Sequence, residues 1–379
     1  MTAQTIRAQV AVIGASPAGL RAAWAAASAG AQVVLLEARP DVGVPEPLAM
    51  VAFDHLMASR ASPPESCIRT RTTNLTAVSP GGHRITLDAP ARILDRTRFD
   101  RHFLAEAERA GATVRLGTGP LRLDGNRLLG EQLEVEANIL IFCDGATSQA
   151  RTRLATLQHP ESIVWGAAHR VEGSTGPAST IELRIGSHAR GGRTQWNPLG
   201  GTSWTHWSFT GTSAAEAIAQ ARANLERERP GSAATLLGAA PDPVYTLPGD
   251  LVGDGILVAG GAAGQGGLEV GLVSGEWAGE AAAAAALAGR RDAAALAPYQ
   301  TRWRRTYQAG YERLRDLTMR TAAKSDLELD RLMAPLDGEQ VPFSVLRALG
   351  GSGLARLGAL PWLLRHPVAV ARAVRAFFG

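Results

Sequence analysis

Gln9-Val10-Ala11-Val12-Ile13-Gly14-Ala15-Ser16-Pro17-Ala18-Gly19 and, a helix later, Val33-Val34-Leu35-Leu36-Glu37 decide the fold of this chain. The first stretch is an apolar strand that runs into a glycine turn. The second is another strand, ending in an acid. Gly14 lets the chain turn sharply out of its strand, and Gly19 lets the intervening helix lie close to the sheet. The N-terminus of that helix offers free N–H groups to a pyrophosphate. Glu37, 18 residues beyond Gly19, stands where a carboxylate accepts the two hydroxyls of an adenosine ribose. The middle glycine of the G-x-G-x-x-G pattern is replaced by Ser16, which narrows the backbone's approach to phosphate without closing it. A full strand–helix–strand unit ending in an acid points to a dinucleotide site, with an α/β fold around it.

Outward from this unit, 379 residues allow two closely associated domains. Hydrophobic content of 45% and charged content of 20% are those of an ordinary soluble globular protein. A net charge of +4, dispersed along the chain, gives no case for nucleic acid. The two cysteines, Cys67 and Cys143, form neither a disulfide framework nor a zinc pattern, so no metal site is expected. The first strand begins too early to leave room for a signal peptide, and no apolar run is long enough to span a bilayer, so a cytoplasmic location is expected.

Residues 41–92 read as loop and short strands punctuated by Pro45, Pro47, Pro63 and Pro64. Ile93-Leu94-Asp95-Arg96 leads into an amphipathic helix with Phe99, Phe103, Leu104 and Ala107 on its apolar face, and the helix stops at Gly111. Ala137 to Gly145 is a buried strand ending in Asp144-Gly145. From about residue 163 to 210 short aromatic and β-branched strands predict an antiparallel sheet, followed by a helix over 213–228. Leu251–Ala259 reads as one strand that meets Gly260-Gly261-Ala262-Ala263-Gly264 and an alanine-rich helix. The last eighty residues read as helical. The domain division expected is 1–162 with 245–300 as an interleaved dinucleotide-binding domain, 163–244 as an antiparallel substrate domain, and 301–379 as a helical C-terminal region.

Four features in this order resemble the flavoprotein monooxygenase-like superfamily, and within it the geranylgeranyl reductase family: the glycine turn with Glu37, the Asp95-Arg96-Thr97-Arg98-Phe99-Asp100 helix start, the Cys143-Asp144-Gly145 strand end, and the Gly-Gly-Ala-Ala-Gly turn with Ser274-Gly275. The resemblance covers about residues 8–300. It implies a Rossmann-like FAD-binding domain of the p-hydroxybenzoate hydroxylase type, interleaved with an antiparallel sheet that covers the substrate. The implied cofactor is FAD, with NADPH as a transient reductant. Carried over by position, Gly14, Ser16, Pro17, Ala18, Gly19, Glu37, Ala38 and Arg39 hold the ADP half, and Arg96, Asp144, Gly145, Gly261, Gly267 and Leu268 the remainder.

The sequence departs from that family at three places. The resemblance places an Asp that binds the ribityl hydroxyls at position 261, where this chain has glycine, a loss of roughly 1–3 kcal/mol if nothing replaces it. The segment from Gly264 to Glu269 is short where relatives carry a proline-containing loop beside the flavin ring. The aromatic-proline motif over the substrate is not recognisable, Trp196-Asn197-Pro198-Leu199 being at most a remnant. The adenosine-binding half is preserved and the flavin-handling half is eroded.

Trp165, Trp196, Trp204 and Trp207, half of the eight tryptophans, are candidates for an aromatic wall against a large apolar substrate. Trp204 and Trp207 have opposite parity, so at most one of them faces a cleft. Glu269, at the start of the helix after the glycine turn, and His206 are the candidate proton donors, with His169 and His188 in the same region. The C-terminal stretch Leu357–Phe378 has Arg365, Arg372 and Arg375 on one helical side, which fits either a peripheral membrane contact or docking on the protein's own body. The function expected is an FAD-dependent oxidoreductase, a reductase or monooxygenase, acting on a large hydrophobic small molecule such as an isoprenoid or a polyketide-like intermediate. The alternative is a redox-neutral cyclase of secondary metabolism on the same scaffold, with FAD structural or absent. The oligomeric state is not legible.

Overall fold

A computed structural model describes residues 4–54, 62–159, 163–173, 176–189, 193–243, 246–342 and 360–367. In chain order the elements are β1 (Gln4–Ile13), α1 (Pro17–Ser28), β2 (Val33–Leu36), β3 (Val51–Phe53), β4 (Ile68–Val78), β5 (Arg84–Leu94), α2 (Arg96–Arg109), β6 (Thr113–Arg115), β7 (Arg122–Asp124), β8 (Arg127–Leu129) and β9 (Leu133–Phe142). Then follow β10 (Val164–Glu172), β11 (Thr180–Arg184), β12 (Arg193–Gly200), β13 (Ser203–Gly211), α3 (Ala214–Glu228), β14 (Ala234–Asp242), β15 (Val252–Gly253) and β16 (Ile256–Val258). The chain closes with α4 (Leu268–Leu287), α5 (Ala293–Trp303), α6 (Ala309–Ala322), α7 (Asp326–Met333), β17 (Gln340–Val341) and α8 (Leu360–Arg365).

The first sheet runs β15-β16-β9-β1-β2-β6, with β16, β9, β1, β2 and β6 parallel and the β7–β8 hairpin attached to β9. The chain leaves β1 towards β2 on one side and returns to β9 on the other. The strand order therefore reverses between β1 and β9, and the crevice at their C-terminal ends is where such sheets bind ligands. α1 and α4 lie against each other with backbones almost touching. A Cβ at Gly275 would sit 2.0 Å from the Ala18 carbonyl oxygen, and one at Gly279 would sit 2.3 Å from that of Ala22.

The second sheet runs β14-β10-β13-β12-β11-β4-β5-β17, with β3 on β5. It draws β3, β4, β5 and β17 from outside 163–244, so the substrate-side layer is larger than the sequence division expects. The 41–92 stretch contains two long strands, β4 and β5, which hide in the sequence because their outward residues are mixed Thr, Arg and Asn. Leu251–Ala259 is a short hairpin, β15 and β16, turned at Asp254-Gly255. α3 covers one face of this sheet through Ala217, Ala221 and Leu225. In the C-terminal stretch, Trp362 packs against Ile85, Leu87 and Val341 of the protein's own second sheet, while Arg372 and Arg375 lie outside the described residues.

Candidate cofactor and substrate site

The glycine turn is built by close approach. Gly14 has a φ of 95°, and a Cβ there would meet the Cys143 carbonyl oxygen at 2.8 Å and Asp144 Cα at 2.9 Å. A Cβ on Gly19 would lie 1.9 Å from the Gly14 oxygen, which fixes glycine at both ends of the turn. Ser16 is the N-cap of α1. Its Oγ accepts from Gly19 N at 3.4 Å and donates to the Cys143 carbonyl at 2.8 Å, stitching α1 to the end of β9. Pro17 opens the helix, where its missing N–H costs nothing. Glu37, buried at the end of β2, accepts from Ala15 N at 2.8 Å through Oε2, and from Arg39 N and Nε at 3.1 and 2.9 Å through Oε1. Ala38 follows it, with its carbonyl bonded to Gly119 N.

Asp144 is open to solvent along the crevice, with protein on its other sides. That enclosure raises its carboxyl above the usual carboxylate range. The Ser148 hydroxyl and Arg151 pull it back, and the Glu37 charge adds to the rise. Three ends of adjacent parallel strands thus bring Gly14, Glu37 and Asp144-Gly145 around one crevice, with the dipole of α1 directed at it. Gly261 borders the same place. A Cβ there would find Gly145 Cα at 3.5 Å and Ala146 N at 3.6 Å, ordinary packing distances, so the pocket wall has room for the acid that the resemblance expects.

Arg96 is placed beside this crevice but its guanidinium is taken. It pairs with Asp100 at 3.0 and 3.2 Å, and also donates to the Ala49 carbonyl, while its backbone N–H is held by Glu46. Burial raises the Asp100 carboxyl, which Arg96 opposes. Arg96 therefore fixes the segment between β2 and β3.

At the other end, Gln265 locks the short turn into α4. Its Oε1 accepts from Gly260 N at 2.8 Å and its Nε2 donates to the Tyr299 hydroxyl at 3.0 Å. Gly267 caps α4 without a side-chain bond, Leu268 begins it, and Glu269 sits in its first turn, 3% exposed. One Glu269 oxygen accepts from Phe53 N of β3. No cation pairs with Glu269 among the described residues, and burial raises its carboxyl, offset by the backbone N–H groups of Glu269 and Phe53. Its charge is felt by Tyr307 and Tyr311. A second acid, Asp242, ends β14 near the same turn, 4.0 Å from where a Gly266 Cβ would stand. Burial raises it too, with Arg193 opposing. A lone Asp between two prolines carries no sequence signal, and only the fold brings it here.

The tryptophans divide by face. Trp196 and Trp204 pack with Val171 and Leu225, and Trp165 with Ala217 and Ala221, all beneath α3. His206 lies on that same side, fully buried, 4.7 Å from the Trp196 ring centre and with Nε2 3.7 Å from Glu228 Oε2. Burial alone would raise the Glu228 carboxyl, but His206, Trp196 and Thr194 bring it down to about 2. His169 faces His206 across β10 and β13. The structure thus separates His206, Trp165, Trp196 and Trp204 from the crevice side. Trp207 turns the other way, stacked on Phe209 with centroids 5.0 Å apart, and meets Leu48 of the segment that Arg96 holds. As parity requires, only one of Trp204 and Trp207 faces the junction between the sheets.

Residues 12–44 match the family model described as an NAD(P)-binding Rossmann-like domain. The chain is 31% identical over 324 residues to digeranylgeranylglycerophospholipid reductase 1 of Methanothermobacter thermautotrophicus, covering 77% of this chain and 81% of that protein. It is 27% identical over 394 residues to digeranylgeranylglycerophospholipid reductase of Methanothrix thermoacetophila, covering 96% and 100%. Among solved structures, a geranylgeranyl bacteriochlorophyll reductase-like protein of Thermoplasma acidophilum superposes with a TM-score of 0.81 at 19% identity, over 98% of this chain and 100% of that one. A flavin-dependent brominase superposes with a TM-score of 0.62 at 16% identity, covering 98% and 94%, a likeness of fold. Fold and relatives together define an FAD-dependent oxidoreductase. Within that class the chain belongs to the digeranylgeranylglycerophospholipid reductase family.

Proposed function

We propose that the chain reduces a carbon–carbon double bond of a large isoprenoid or similarly apolar molecule, with FAD in the β1–β9 crevice. The observation that carries this reading is the convergence of Glu37, Asp144 and the N-terminus of α1 at the point where the strand order reverses. Glu37 would receive the adenosine ribose, with Ala38 and Arg39 beside it. Gly14, Ser16, Pro17, Ala18 and Gly19 would face the pyrophosphate, and Asp144, Gly145, Gly261, Gly267 and Leu268 would border the remainder, with Arg96 holding their loop. When bound and reduced, FAD supplies a hydride equivalent to one carbon of the double bond.

The chain's own part is to position the substrate and hold a proton for the other carbon. Glu269 suits the second task, since it is buried with no cationic partner among the described residues, and such a carboxyl retains its proton to a higher pH than a free one. Trp207 and Phe209 supply an aromatic surface for the apolar chain. NADPH would act as a transient reductant. The protein would work in the cytoplasm, with peripheral contact to a lipid surface where the substrate resides. Among the described residues no helix is long and apolar enough to cross a membrane.

The visible spectrum of the purified protein tests this. Flavin bands that bleach with NADPH and return when an isoprenoid alkene is added support it. A colourless protein that takes up no FAD on incubation ends it. Bound flavin that neither NADPH nor dithionite bleaches points instead to a redox-neutral cyclase.

A further inference from the structure

The turn into α4 is fixed on both sides of one peptide. Before it, Gln265 is tied twice to Gly260: its N–H donates to the Gly260 carbonyl at 3.0 Å, and its Oε1 accepts the Gly260 N–H at 2.8 Å. After it, the α4 ladder begins at the Gly267 carbonyl, which accepts from Gly271 N at 3.0 Å. Between them lies the Gly266–Gly267 peptide. Its carbonyl stands outside the helix ladder, and among the described residues its N–H has no partner. Gly267 has a φ of 97°, and a Cβ on Gly266 would meet only Asp242, at 4.0 Å. With no side chain on either flank, sterics leave this peptide free to stand either way up.

A tyrosine of the C-terminal helices settles the matter. The Tyr311 hydroxyl donates to the Gly266 carbonyl. In a trans peptide the carbonyl and the following N–H point in opposite directions, so this bond turns the Gly267 N–H away from α6. α6 has no fully buried residue, and Tyr311 is the member of it that packs against the main core. The ring ends an aromatic ladder: Trp303 lies against Tyr307 with centroids 4.9 Å apart and meets Tyr311 edge-on at 5.3 Å. From Trp303 to Tyr311 an unbroken α-helix would swing the side chain about 80° round the axis. The π-helical turn Arg304–Gln308 is wider and takes back part of that swing, as such turns do at functional positions. Burial raises the Tyr311 hydroxyl above its ordinary range, and Tyr307, Asp242 and Glu269 add to the rise, so it remains a donor.

We infer that Tyr311 is a positioning residue for the flavin end of the site: it sets the Gly266–Gly267 peptide so that the Gly267 N–H is offered to the ring of FAD. A donor there favours the negative charge of the reduced form. The inference rests on the reading that FAD occupies the β1–β9 crevice. It gives the C-terminal helices a part in tuning the flavin, where the loop beside the ring is short.

Tyr311→Phe in the full chain tests it, because the ring stays on Trp303 and only the hydroxyl is lost. Tyr307→Phe is the control, removing a neighbouring hydroxyl that bonds to no described residue. Equilibrium reduction against a reference dye places the Tyr311→Phe midpoint below the parent's by up to about 30 mV, the two-electron equivalent of a tenfold loss in preference for reduced FAD. Oxidised FAD binds about twofold to tenfold more weakly, while ADP, which lacks the ring, binds within about twofold of the parent. Tyr307→Phe matches the parent in all three. A midpoint that stays or rises, or that falls equally in Tyr307→Phe, overturns the inference. So does a loss shared equally by FAD and ADP, which marks a support for the fold alone. Circular dichroism and thermal melts of each variant verify folding. A parent chain that binds ADP and takes up no FAD ends the flavin proposal and this inference with it, whereas a parent and a Tyr311→Phe variant that handle FAD alike end this inference alone.

Discussion

A Cβ at position 261 would meet its neighbours at ordinary packing distances, and that turns an apparent loss into an experiment. Its backbone needs no left-handed conformation, and the nearest atoms to a Cβ stand at 3.5 and 3.6 Å. Gly261→Asp should therefore fold unchanged and tighten FAD binding by roughly tenfold, the value of a regained hydrogen bond to a charged group. Quenching of flavin fluorescence on titration measures it, and weaker binding would show that the turn serves another ligand. Glu269 is the second test at this scale. Its folded carboxyl lies above its unfolded range, so the folded chain binds the proton more tightly. Stability from this group is present at low pH and lost as pH rises through the raised value, and a proton-donating role fades over the same window. Glu269→Gln should lower turnover by roughly 10²–10⁴-fold and keep FAD binding, while raising the melting temperature at alkaline pH relative to the parent. Glu269 was legible as an acid at a helix start. The want of a cationic partner for it among the described residues was not, because that depends on what β3 and α6 bring to it.

Helix α4 shows how one element reads two ways along its length. Gly275 and Gly279 touch the carbonyl oxygens of α1, whereas a Cβ at Gly271 meets nothing within 4 Å. Gly275→Ala should cost about 1–3 kcal/mol or more by overpacking, because the obstructing atom is backbone and cannot turn aside. Gly271→Ala should instead gain about 0.5–1 kcal/mol from helix propensity. Thermal melts of the two variants should diverge in opposite directions, and equal effects would mean that α1 and α4 are not packed as described. The α1 turn and its strands were legible because each residue acts within a few positions of itself. β4 and β5 were not, since their long pairing is fixed by contacts across the second sheet rather than by strict alternation in the sequence. Parity alone separated Trp204 from Trp207, but which of them met the crevice depended on where α3 lay.

Over the whole molecule the segment from Asp41 to Phe53 is the joint between the two sheets. Arg96 holds its Ala49 carbonyl, Leu48 packs on Trp207 of the second sheet, and Phe53 N–H meets Glu269 at the head of α4. One buried ion pair, Arg96 with Asp100, stands behind this joint. A buried pair contributes less than it costs to break, since removing one partner strands the other charge. Arg96→Met should thus destabilise by about 3–5 kcal/mol, with the Asp100 carboxylate left uncompensated. Arg96→Met combined with Asp100→Leu should recover at least half of that stability, measured by denaturant unfolding across the double-mutant cycle. FAD affinity should not recover with it, because neither replacement donates to Ala49 and the segment beside the crevice stays unanchored. Recovery of both would show that the pair serves stability alone, and that the joint is held by its apolar contacts.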